Sequence, residues 1–106
     1  MRAVLLYGGI QLIVITHNEN SISVQGHAGY APHGQDVVCA AVSTLLQAFY
    51  LSVGQLAHDE IKAEFKPGNA VIEYGDLSSK GKLLVDSFFV GVKMVADEFP
   101  GYVRVE

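Results

Sequence analysis

Cys39 is the only cysteine in the chain, and it stands twelve residues after His27 in the stretch Gly26–Ser43, GHAGYAPHGQDVVCAAVS. A thiol and an imidazole suffice for attack on an acyl carbon: the thiolate is the nucleophile, and the ring takes and returns the proton. Asp36 is a good N-cap type, so a helix starting at Val37 puts Cys39 in its first turn. Orphan N–H groups and the positive end of the helix dipole there favour a thiolate. The loop from Gly29 to Gln35 is long enough to fold back and set imidazole beside sulfur. The same residues admit a plainer role, because a lone cysteine in a run of Val and Ala more often packs in a core than reacts.

Around this pair, Asp36 has two competing uses: orienting the His27 ring, or capping the helix. Capping is favoured because it needs no tertiary partner. Ser43 lies one turn past Cys39 on the same helix face and either supports the site by a hydrogen bond or is a satisfied helix serine. Gly26 and Gly34 bracket a Gly/Pro loop that either gates substrate or merely connects two elements. His33 is a second imidazole near Cys39 in sequence, but on a flexible loop it ranks behind His27 at a strand end. His17, His27, His33 and Cys39 show no CxxC or HxxxH spacing, so neither a metal nor a cofactor is expected.

Gly26, His27 and Ala28, followed without a gap by Asp36, Val37, Val38, Cys39, Ala40, Ala41, Val42 and Ser43, resemble the GHA and D-[IV]-[VI]-C-A-[AS]-[VI]-S signature of the ribosomal-processing cysteine proteases, the Prp family. The resemblance implies a Cys-His catalytic pair, hence roles for Cys39 and His27. It also implies a homodimer and a substrate that is the N-terminal extension of large-subunit ribosomal protein 27, cut after an aromatic residue. The alternative is a non-enzymatic ribosome-associated or protein-binding module in which Cys39 is structural.

A chain of 106 residues, half of them apolar, is one domain with enough apolar surface for a core. A single cysteine excludes an intrachain disulfide, and nothing points to an oxidising compartment, so a cytoplasmic location is expected. The net charge of −4 and the lack of a Lys/Arg cluster argue against direct nucleic-acid binding. Ala3–Thr16 loosely resembles a signal peptide, but Gly8-Gly9 interrupts it and no small-x-small site follows. Val37–Ala57 carries no charge and is long enough to span a bilayer, yet Ser43, Thr44, Gln47, Ser52, Gly54 and Gln55 weaken it for that use. Burial against its own sheet and against a second subunit explains it without a membrane.

The elements that must position the pair follow from periodicity. Ile10–Thr16 reads as a strand, with a turn over His17–Asn20. Ser21–Gln25 alternates, with Ile22 and Val24 on one face. Continued, that period puts His27 on the face opposite them. Glu60–Lys66 and Ala70–Tyr74 form a hairpin through Pro67-Gly68-Asn69. A second helix runs from Ser78 or Ser79 to about Glu98 with Leu84, Phe88, Val92, Val95 and Phe99 in its stripe, and Tyr102–Val105 is a last strand. The expected fold is α+β and two-layered: a mixed, largely antiparallel sheet in the order ββαββαβ with two helices on one face. Residues 1–9 are an extension or an extra strand, the latter suggested by Gly8-Gly9 as a hairpin turn, and residues 10–106 form the protease-like domain.

Overall fold

The computed structural model describes residues 12–32 and 36–106, together with the backbone of 5–6 and 9–10. The short strands β1 (Leu5–Leu6) and β2 (Gly9–Ile10) pair with each other and stand apart from the main sheet. That sheet is built from β3 (Ile13–Asn18), β4 (Ser21–Gln25), β5 (Ile61–Lys66), β6 (Asn69–Tyr74) and β7 (Val103–Val105), in the spatial order β5-β6-β4-β3-β7. Every neighbouring pair is antiparallel except β3 and β7. Helix α1 (Val37–Ser52) connects β4 to β5, and α2 (Ser79–Glu98) connects β6 to β7.

Topology explains why both helices share one face. The connections β4-α1-β5 and β6-α2-β7 each join parallel strands, but they start from strands of opposite direction and run toward opposite edges. Two crossovers related in this way lie on the same side of the sheet when both take the usual right-handed course. Ile15, Ile22 and Ile72 from the sheet, Val38, Val42 and Val53 from the α1 segment, and Val92 from α2 are accordingly all but fully buried. The rings of Phe49 and Phe88 join the helices, 5.6 Å between centroids. The opposite sheet face carries Ser23, Gln25, Lys62, Glu64, Glu73 and Arg104, and its polarity lets it meet water uncovered.

Several boundaries differ from the sequence pattern. The first core strand begins at Ile13 rather than Ile10 and runs on to Asn18, because His17 and Asn18 pair with Ile22 and Ser21 and leave only Glu19-Asn20 as the turn. On α2 the buried stripe is Gly81, Val85, Phe88, Phe89, Val92 and Val95, so Val85 takes the core position that the pattern assigns to Leu84. The α1 segment ends in a π-helical turn, Val53–Ala57, stopped by His58 in the left-handed conformation at φ 57°. By length and composition Val37–Ala57 could cross a membrane, but its stripe Val38, Val42, Leu46, Phe49 and Val53 is core.

Candidate active site

Asp36 is the N-cap of α1. One carboxylate oxygen accepts from the backbone N–H groups of Val38 and Cys39, both at 3.0 Å, and the other accepts from the Tyr30 N–H at 3.0 Å. The cap thereby ties the start of the helix to the loop that follows β4. Tyr30 is held further by edge-on contacts with Phe99 and Tyr102, each at 5.3 Å. Cys39 occupies the third helical position and is half-buried. Its Sγ accepts a hydrogen bond from the backbone N–H of Ala28, 3.4 Å away, in the residue next to His27.

A cleft of about 860 Å³ opens beside the sulfur, and His27 and Cys39 both line it. Gly26, Asp36 and Ser43 line it as well, whereas Gly34 lies outside the described residues, as do His33 and Gln35. Val24, Val42, Leu46 and Ala70 give it an apolar floor, and Phe65, Pro67 and Gly68 at the tip of the β5–β6 hairpin form the far wall. Ser43 accepts from the Gln47 side-chain amide at 2.8 Å, so both polar side chains on the α1 wall are tied to each other. His17, by contrast, stands at the other end of β3, where its ring stacks on Phe89 at 4.4 Å.

Two expectations need correction. The alternation of β4 does not continue to His27: the strand ends at Gln25, and Gly26 turns the chain at φ 95°, which an L side chain rarely adopts. His27 consequently faces the same cleft as Val24 instead of the opposite side of the sheet. The thiol is also shifted in the direction opposite to that expected from a helix start. Burial pushes the Cys39 pKa up, and although the Ala28 N–H draws it down, the charge of the Asp36 carboxylate and its hydrogen bond with the thiol push it up again. Among the described residues no hydrogen bond joins His27 to Cys39. The ring lies against Gly68, where a Cβ would come within 2.6 Å of Nε2.

The chain matches the family described as cysteine protease Prp over residues 10–104. It belongs to the Prp cysteine protease family. Among solved structures, the ribosomal-processing protease Prp from S. aureus with a covalently linked product peptide is similar at TM-score 0.80 and 20% identity, covering 90% of this chain and 96% of that one. The S. aureus structure with a substrate peptide is similar at TM-score 0.75, with the same identity and coverage. SMU.848 from Streptococcus mutans shares 27% identity at TM-score 0.72, with 90% of each chain covered. No curated protein matches by sequence. These similarities establish the α+β fold with two helices on one face of a mixed sheet, and the family establishes a cysteine protease. The hairpin tip, the Ala28 N–H and Gln47 escape a reading of the sequence, since the turn at Pro67-Gly68 is legible but nothing local shows that it lies against His27.

Proposed function

We propose that the chain is an endopeptidase that removes the N-terminal extension of a ribosomal protein precursor, with Cys39 as nucleophile and His27 as the base that activates it. The observation that carries this reading is the shared cleft: the single cysteine of a cysteine protease family member and the imidazole of the GHA element open onto one cavity. The peptide complexes of the S. aureus relative support a peptide as occupant. In the reaction, the thiol proton passes to His27 and sulfur bonds to the scissile carbonyl carbon. The C–N bond breaks as the imidazolium protonates the leaving amine. Water, deprotonated by the same ring, then hydrolyses the thioester and restores the thiol.

The N–H groups at the helix start are already engaged, because Asp36 takes those of Val38 and Cys39. The Ala28 N–H, which points at the sulfur, is the donor best placed to receive a negative oxygen bonded to the carbon that sulfur attacks. With the thiol pushed up and the ring on Gly68, proton transfer follows substrate binding. That same resting state favours a second reading, a binding module with a structural cysteine, and slow alkylation of Cys39 fits both. Turnover separates them. Peptides spanning the N-terminal extension of the large-subunit ribosomal protein 27 precursor should be cut by wild type and not by Cys39→Ala or His27→Ala; cleavage surviving in Cys39→Ala refutes the assignment. We further infer a cytoplasmic homodimer. The uncharged outer face of α1, with Val37 and Leu51 more than half exposed, supports pairing of two copies, and light scattering tests it.

A further inference from the structure

The β5–β6 hairpin turn is not part of the motif that holds the pair, yet two independent contacts tie it to His27. Gly68 accepts a hydrogen bond through its carbonyl from the Gly26 N–H at 2.9 Å, which fixes the backbone one residue before the imidazole. Gly68 also lies against the Nε2 end of the ring: a Cβ there would stand 2.6 Å from Nε2, 3.2 Å from Cε1 and 3.3 Å from Cδ2. Real Cβ atoms do not approach that closely, so either the ring or the turn must move if one is added. We propose that Gly68 is a positioning residue for His27, its missing side chain providing the space in which the imidazole stands, so that a turn some forty residues downstream sets the location of the base. The proposal rests on the assignment of His27 and Cys39 as the reacting pair.

Gly68 has φ 72°, so Gly68→Asn is the variant of choice, because Asn tolerates the left-handed conformation better than other side chains. Peptide cleavage by Gly68→Asn should show kcat reduced about tenfold or more, with KM changed less than about threefold and the pH profile of kcat displaced, while circular dichroism remains that of wild type. A folded variant with wild-type kcat and pH profile overturns the proposal. If Gly68→Asn does not fold, the wild-type protein decides: nuclear Overhauser effects from the His27 ring protons to the Gly68 α protons are expected, and their absence overturns the proposal. Cleavage persisting in Cys39→Ala would instead defeat the assignment of the pair, which neither the Overhauser effects nor the Gly68 kinetics can do.

Discussion

Replacing Asp36 separates its mechanical contribution from its electrical one. Its carboxylate satisfies two helix N–H groups and the Tyr30 N–H. Losing an N-cap costs about 1 kcal/mol, and losing an exposed hydrogen bond to a charged acceptor costs about 0.5–1 kcal/mol more. Asp36→Ala is therefore expected to lose about 2 kcal/mol. For 106 residues, an unfolding entropy of about 2.1 cal/mol/K per residue converts that to a fall in Tm of roughly 9 °C. Asp36→Asn retains a capping oxygen of similar quality and should lose less than half as much. Burial raises the Asp36 pKa, but the N–H donors of Cys39, Tyr30 and Ala31 and the Cys39 side chain outweigh it, so the folded value lies below the ordinary one. The stability this adds is present above the ordinary carboxylate range and is lost as pH falls through the lower folded value. The difference between wild type and Asp36→Asn should thus be flat near neutral pH and shrink below about pH 4. The thiol supplies a second readout: removing the carboxylate charge takes away an influence that pushes Cys39 up, so its thiolate absorbance should appear at lower pH in Asp36→Asn. Urea unfolding across pH and ultraviolet titration measure both. An Asp36→Ala variant within about 0.5 kcal/mol of wild type, a difference undiminished in acid, or a thiol that ionises later in Asp36→Asn would refute the reasoning.

Three further outcomes are expected. In the free wild-type protein the thiol should ionise above its ordinary range, and its labelling by iodoacetamide near neutral pH should be slower than that of free cysteine and unaltered by His27→Ala; labelling as fast as a free thiol, or dependent on His27 without substrate, contradicts the resting geometry. Ile72→Ala removes a fully buried side chain beneath the helices and should cost about 2–5 kcal/mol, read from the urea midpoint at unchanged m-value. Ser43→Ala breaks the exposed Ser43–Gln47 bond and should change stability by less than about 0.5 kcal/mol. If Ser43 also contacts the peptide, kcat/KM should fall about fivefold, as expected for one hydrogen bond.

Local chemistry was legible without coordinates. Asp36 announces a cap because its carboxylate needs only the next few N–H groups, and α2 announces itself through Ser78 and a stripe of period 3.6. The two hairpins follow from alternation punctuated by turn residues, as at Lys62, Glu64 and Lys66 against Ile61, Ala63 and Phe65. What depends on distant segments meeting was not. One glycine at φ 95° reversed the facing of His27, and the sign of the thiol shift came from the desolvation of Cys39 and the nearness of a carboxylate. Residue order alone specifies the single cysteine, its place at a helix start and the elements on either side. Only the folded sheet decides that the β5–β6 turn comes to rest against the imidazole, because that contact requires β6 to pair with β4 across more than forty intervening residues, and no local preference encodes such a pairing.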